Sequence, residues 1–296
     1  MKLYTRREVL KSGTVALAAT TLVPGIIGCE ALGIRTGPGA RGSLSFIHAT
    51  DTHLDLGNPK TVKWVELLVE KINRDFKSVD FVLFGGDNFN NNIRGTDDAH
   101  RFKNTIAKLH CPAYAVRGNK ESSPKPAGDP LGQRDFAKMF FPPDVQIVGR
   151  DWKLAKGPYT ILGIDTTLTQ KNNGICAPES LDFIESELKQ NPDRYHILLN
   201  HQPYDNFWGG TDAKDLHKYV LNNAAETKKR LFGYDNLTLT LSGHKHRDDV
   251  RQNGHVTTIA TLGFVVPQDA DTEEDHRFRH VEIVDGDVEQ RVVSIV

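Results

Sequence analysis

Short apolar runs recur along this chain, and most of them break off at a polar block containing aspartate, asparagine, histidine or glycine. Ser43–Thr50, with Leu44, Phe46 and Ile47, predicts a first strand. Pro59–Phe76 carries Val62, Val65, Leu68, Val69, Ile72 and Phe76 at helical spacing, with proline in the first turn. Asp80–Gly85 is a continuous apolar run, as expected of a strand covered on both faces. Thr96–Leu109 predicts a helix capped by Thr96, and Pro112–Arg117 a third strand. This βαβαβ opening predicts an α/β fold.

Beyond it, Glu121–Pro130 reads as a loop and Gln133–Phe140 as a short helix. Val145–Val148 and Tyr159–Ile164 read as paired strands. Pro178–Gln190 is helical, with Leu181, Ile184 and Leu188 on one face. Tyr195–Leu199 and Leu237–Leu241 are further strands. Val256–Val266, Arg277–Val284 and Val288–Val296 alternate and predict an antiparallel finish. No internal repeat or second folded domain is evident.

Five of the polar blocks carry chemistry. They are Asp51-Thr52-His53, Gly86-Asp87-Asn88, Gly118-Asn119, Asn200-His201 with Pro203, and Gly243-His244-Lys245-His246. Asp51, His53, Asp87, Asn119, His201, His244 and His246 together are oxygen and imidazole donors enough for two adjacent metal ions. A carboxylate can bridge two cations and lower their mutual repulsion, which is the role expected of Asp87. Neutral imidazoles leave the positive charge available for a phosphate. An amide oxygen from Asn119 is a weaker donor that keeps its metal more acidic. Each block alone is an ordinary turn or surface motif. Five in order, each after an apolar run, point to a two-metal centre for phosphate-ester hydrolysis.

With these residues the chain resembles the calcineurin-like metallophosphoesterases, from about Leu44 to about Val266. The resemblance implies a four-layer αββα sandwich with the site at the carboxyl ends of the strands. It implies one metal on Asp51, His53, Asp87 and His246, and the other on Asp87, Asn119, His201 and His244. The implied reaction is hydrolysis of a phosphodiester or phosphomonoester by in-line attack of a metal-bridging hydroxide. Mixed oxygen and imidazole ligation admits iron, manganese, zinc or cobalt, as divalent or mixed-valence pairs. One position departs from the family pattern. Many members carry histidine after the asparagine of the third block, near the leaving group; here it is Lys120, followed by Glu121. Lys120 either donates a proton or pairs with a phosphate oxygen, or it turns to solvent or pairs with Glu121. The alternative for the whole chain is a noncatalytic binding module on the same scaffold.

Two stretches are candidates for substrate contact. Tyr204–Gly210, with Trp208, follows His201 and either stacks on substrate or packs into its own loop. Asn88–Asn92 and Arg94 follow Asp87 within reach of phosphate oxygens. The remaining histidines, His48 among them, receive no role.

The amino terminus changes the picture of where the protein works. Thr5-Arg6-Arg7-Glu8-Val9-Leu10-Lys11 matches a twin-arginine export signal, and Thr14–Ile27 is apolar but short for a membrane span. Ile26-Ile27-Gly28-Cys29 resembles a lipobox. The expected organisation is a signal over 1–28, a flexible Gly-containing tether over 29–43 and the enzyme domain over 44–296. The partners are then the twin-arginine machinery, a membrane surface held through lipid on Cys29, and a small phosphate ester, at a periplasmic or cell-surface location. The precursor's net charge is −1, and Lys2, Arg6, Arg7 and Lys11 against Glu8 leave the remainder more acidic. With no long basic run, nucleic acid is disfavoured as a partner, and Lys228-Lys229-Arg230 reads as a solvated helix face. Cys111 and Cys176 are expected to be buried thiols rather than a disulfide.

Overall fold

The computed structural model describes residues 38, 41–91, 95–122, 131–206, 213–264 and 276–296. The chain divides into two units, 1–35 and 36–296, and the described residues belong to the second. The export signal, Cys29, most of the tether, Arg94 and Trp208 lie outside the described residues.

In chain order the elements are β1 (Ser43–Ala49), α1 (Pro59–Asp75), β2 (Phe81–Phe84), α2 (Asp97–Ile106), β3 (Ala113–Ala115), α3 (Asn119–Ser122), α4 (Gln133–Phe140), β4 (Gln146–Val148), β5 (Asp151–Lys156) and β6 (Tyr159–Ile164). There follow α5 (Pro178–Gln190), β7 (Tyr195–Asn200), a 3-10 turn (Ala213–Lys218), α6 (Ala224–Leu231), β8 (Leu237–Ser242), β9 (Asp249–Asn253), β10 (Val256–Ala260), β11 (Arg277–Val284) and β12 (Asp287–Ser294). They make a five-stranded sheet, β12-β11-β1-β2-β3, and a seven-stranded sheet, β4-β5-β6-β7-β8-β10-β9.

Strand parity builds the layers, because successive side chains point to opposite faces. In β2, Val82 and Phe84 join Ile47 of β1 against Val65, Leu68 and Ile72 of α1. The alternate residues Phe81 and Leu83 face the other sheet, with Phe46 and Tyr114. There they meet Leu154, Ile161, Ile197, Leu199, Leu239 and Leu241. Leu162, Ile164 and Leu198 turn outward onto Leu181, Ile184 and Leu188 of α5. The result is the αββα sandwich that the resemblance implied. Each fully buried large apolar side chain contributes about 1.5–3 kcal/mol relative to exposure, so the middle layer alone supports costly backbone at the rim.

Four details differ from the sequence expectations. Val145–Val148 and Tyr159–Ile164 do not pair with each other; both flank β5, which pairs antiparallel with β4 and with β6. Trp152 and Leu154 do alternate inward there, but the intervening Lys153 and flanking Asp151 mask the run. The strand starting at Val256 stops at Ala260 and joins the seven-stranded sheet, parallel to β8, rather than the antiparallel finish made by β11 and β12. The helix after Thr96 ends at Ile106, and Thr96 occupies the cap position without a side-chain cap bond. Glu121 is helical, in the one-turn α3. Cys176 is buried beneath α5 and Cys111 is half-buried against the α1 layer, both as free thiols; burial pushes Cys176 up to about 12.

Candidate metal centre

β1, β2 and β3 run parallel, as do β6, β7 and β8, so the loops at their carboxyl ends share one edge of the sandwich. Asp51 and His53 follow β1, Asp87 follows β2, and Asn119 follows β3. His201 follows β7, and His244 and His246 follow β8. Backbone hydrogen bonds tie the loops together: Asp51 N–H donates to Gly86 O (2.9 Å), His53 N–H to Asp87 O (3.0 Å) and Gly243 N–H to His201 O (3.0 Å). Across the sheets, His244 N–H donates to the Asp51 carboxylate at 2.9 Å.

The backbone is strained where the donors sit. Asp51, His53, Asp87, His244 and His246 have φ of 51°, 46°, 49°, 69° and 51°. Left-handed backbone at residues other than glycine costs on the order of 1–3 kcal/mol each and concentrates at functional sites. Close packing requires glycine at two neighbours. A Cβ on Gly118 would lie 2.2 Å from the Asp87 amide nitrogen, and one on Gly243 would lie 2.2 Å from an Asp51 carboxylate oxygen.

All seven residues expected as ligands come together. Asp51, His53 and His246 present donor atoms to one point, and Asp87, His201 and His244 to another. In the first group His246 Nε2 is 3.1 Å and His53 Nε2 3.7 Å from Asp51 Oδ1, with the two Nε2 atoms 3.3 Å apart. In the second, His201 Nε2 is 3.3 Å from Asp87 Oδ1 and 3.2 Å from both Asn119 Oδ1 and His244 Nδ1. Asp87 turns one oxygen to each group, since its Oδ2 lies 3.8 Å from His53 Nε2.

The hydrogen bonds on the far side of each donor decide which lone pair faces inward. His53 Nδ1 donates to Asn90 Oδ1 (2.7 Å), His201 Nδ1 to Gly85 O (2.9 Å) and His244 Nε2 to Lys218 O (2.7 Å). Asp51 Oδ2 is engaged by the Thr50 hydroxyl (2.7 Å) and His244 N–H. In neutral histidines this leaves His53 Nε2, His201 Nε2 and His244 Nδ1 as acceptors, facing carboxylate and amide oxygens. For these three imidazoles, lone pairs aimed at lone pairs over 3.2–3.8 Å repel unless a proton or a metal ion lies between them. The donor chemistry fits two ions sharing Asp87, with Asn119 on the second.

Electrostatics agree. Burial opposes ionisation of Asp51, but His246 and His201 outweigh it and hold the carboxyl well below its usual range. Burial resists protonation of His201, yet Asp87 and Asp51 lift it to about 9. Burial and the charge on His201 lower His244 to about 4. Without metal, the second donor group therefore favours a proton on His201 and resists another on His244.

Sequence reasoning missed the residues behind the ligands. Glu121 is fully buried and accepts from the amides of Gly118 (2.8 Å), Asp87 (3.2 Å) and Asn88 (2.7 Å) and from the Asn88 side chain (3.0 Å). Burial and the nearby Asp87 push its carboxyl up to about 7. Glu121 is thus spent on the loops and does not pair with Lys120. The Lys120 peptide N–H instead donates to Asp87 Oδ1 at 2.7 Å, and the Lys120 side chain is half-buried. Asn88 and Asn90 do not reach for phosphate either. The first is buried and bonded to Val116 O and Glu121, and the second lies between His53 and Asp55. Asn172, on the loop after β6, accepts from the Asn119 amide at 3.4 Å and keeps its oxygen turned inward. The advance signals were the acidic residue next to Lys120 and the asparagine-rich stretch after Asp87, which was expected to meet phosphate instead.

A family model for calcineurin-like phosphoesterases matches residues 44–248. The chain belongs to that family and is a metal-dependent hydrolase of phosphate esters. It is 25% identical over 212 residues to a probable glycerophosphodiester phosphodiesterase GpdQ of Arcobacter nitrofigilis, covering 68% of this chain and 71% of the relative. It is 23% identical over 217 residues to the 3',5'-cyclic adenosine monophosphate phosphodiesterase CpdA of Haemophilus influenzae, covering 69% of this chain and 70% of that protein. In fold it is similar to a dimetal phosphatase from Danio rerio, with a TM-score of 0.59 at 13% identity, over 86% of this chain and 99% of that one. The yellow lupin purple acid phosphatase PPD1 shares the fold with a TM-score of 0.60 at 15% identity, over 87% of this chain and 52% of the lupin chain. The family binds two metal ions, and the two donor groups here match that number.

Proposed function

We propose that this protein hydrolyses small phosphodiesters at a dinuclear centre. Asp51, His53, Asp87 and His246 hold one ion, and Asp87, Asn119, His201 and His244 the other. The observation that carries this reading is the pair of inward-facing lone-pair clusters sharing Asp87, one oxygen to each. Two bound ions would supply Lewis acidity at the phosphoryl oxygens and activate the water that attacks phosphorus in line. The chain's own part is to orient the donors, and the peptide N–H of Lys120 fixes Asp87. The Lys120 ammonium, one residue from Asn119, offsets charge on the departing oxygen. Diesters are favoured because two relatives are named as phosphodiesterases. A small ester is favoured because the sequence has no long basic run of the kind that nucleic-acid binding uses.

The test is a panel of aryl phosphate mono- and diesters with protein reconstituted in manganese, zinc, cobalt or iron, beside Asp87→Ala. Turnover of diesters above monoesters, lost in Asp87→Ala, is expected. Turnover of monoesters alone would reverse the substrate assignment.

We also propose export by the twin-arginine route and lipid anchoring at Cys29, outside the cytoplasmic membrane. The support is the Arg6-Arg7 block and the Ile26-Ile27-Gly28-Cys29 sequence. Cys29→Ala should abolish metabolic labelling with an alkyne fatty acid and release the protein from membranes, whereas labelling that survives this change would overturn the anchor.

A further inference from the structure

The inner histidines differ in what turns them. His201 and His244 are fixed by the peptide carbonyls of Gly85 and Lys218, which no substitution at those positions removes. His53 is fixed by a side chain, Asn90. The Asn90 amide is fixed in turn, because its Nδ2 donates to Asp55 Oδ2 at 3.2 Å. Asp55 is held by Gly57 N–H on its other oxygen, at 2.8 Å. The loops that carry these residues run side by side. Leu54 N–H donates to Asn88 O (3.1 Å) and Asn90 N–H donates to Leu54 O (2.9 Å), which sets both His53 and Asp55 against Asn90.

We propose that Asn90, oriented by Asp55, is a positioning residue that sets how tightly the metal position of Asp51, His53 and His246 holds its ion, while leaving the other position alone. The inference rests on the dinuclear reading above. Its physical basis has two parts. A flipped Asn90 amide would set N–H against the Nδ1–H of His53 and lose the bond to Asp55, so Asp55 selects the orientation. The carboxylate also polarises the amide, which strengthens its oxygen as an acceptor and makes the opposite His53 nitrogen a better donor to a metal. Hydrogen-bond partners behind metal ligands are worth about 10–100-fold in affinity. Asn90 is partly exposed, so its replacement spares the buried core.

The experiment is calorimetric titration of the metal-free protein with manganese or zinc, together with nitrogen chemical shifts of the His53 ring in the metal-free protein at alkaline pH. In the parent protein two binding steps are expected, and His53 should carry its proton on Nδ1. Asn90→Ala should weaken one step about 10–100-fold, leave the other unchanged, and mix the two tautomers. The double variant Asp55→Asn with Asn90→Asp exchanges the two groups, gives His53 an acceptor that is now a carboxylate, and should keep the Nδ1–H tautomer and bind at the affected step at least as tightly as the parent.

Unchanged affinity in Asn90→Ala, or an equal loss at both steps with a lower Tm, would overturn the inference. A parent protein that binds no metal would defeat the dinuclear reading instead. The ring shifts would then still decide whether Asn90 sets the tautomer.

Discussion

The two sheets contribute unlike halves of one site. The five-stranded sheet delivers Asp51, Asp87 and Asn119, every oxygen donor, along with His53. The seven-stranded sheet delivers only imidazoles, His201, His244 and His246. Negative charge is thus placed on one half and neutral donors on the other, and neither half closes a cage alone. The halves are also secured differently. The acidic half is braced from within by Glu121 and by the packed glycine at 118, whereas the imidazole half is braced by peptide carbonyls and by His244 N–H on Asp51. The difference teaches that the costly part of this site is its concentrated carboxylate charge, and buried hydrogen bonds are invested there.

The largest effect should come from removing Asp87, which turns one oxygen to each donor group. Asp87→Ala is expected to lower kcat/KM by more than the about 10–100-fold of a lost supporting hydrogen bond. It should also erase the stabilisation that metal gives the parent protein, about 2.7 kcal/mol per site at a hundredfold excess over Kd. Thermal denaturation with and without chelator reads the second quantity. A metal-dependent Tm in Asp87→Ala as large as the parent's would break the idea that the halves meet at this carboxylate.

Next in size is the brace of the acidic half. Glu121→Ala leaves buried amides of Gly118, Asp87 and Asn88 without an acceptor, and each such group costs about 1–3 kcal/mol. A loss of roughly 3 kcal/mol or more in urea unfolding of the metal-free protein is expected from that penalty. A loss below about 1 kcal/mol would show that water replaces the carboxylate.

Gly243→Ala tests the contact between halves, because its new methyl would press on Thr50 and Asp51. Overpacking of this kind costs about 1–3 kcal/mol, and metal affinity should fall with it. If affinity holds while stability falls, the two halves tolerate more separation than their packing suggests.

The smallest effect is expected from Lys120→Ala. It keeps the peptide N–H on Asp87 and removes only the ammonium. Metal affinity should be unchanged, with rates falling by less than the about hundredfold of a full general-acid contribution. The loss should be greater for aryl esters with poor leaving groups than for good ones. An equal loss across the leaving-group series would remove Lys120 from the reaction.

Much of this was legible before folding. Strand and helix periodicity marked α1, α5, β2 and β8, because hydrophobic spacing is a local property that burial then confirms. The ligands were legible because chemistry restricts residue type, and turn residues beside them restrict place. β9 was not legible: Asp249-Val250-Arg251-Gln252-Asn253 is an edge strand with little buried surface, so no apolar pattern writes it. Asn90 and Glu121 were not legible in their roles, since an asparagine in a turn and a glutamate beside a lysine are ordinary on any surface.

The amino-acid sequence by itself determined the inventory: which donors exist, that each follows a strand, and which layers the apolar residues must cover. Those are consequences of side-chain chemistry and of periods of two and 3.6 residues, which need no knowledge of distant neighbours. Tertiary structure alone decided which nitrogen of each histidine faces inward, which oxygen of Asp87 turns to which group, and that Glu121 is spent on backbone amides. Hydrogen-bond direction depends on atoms brought within about 3 Å from separate parts of the chain, and only the packing of the two sheets brings them there.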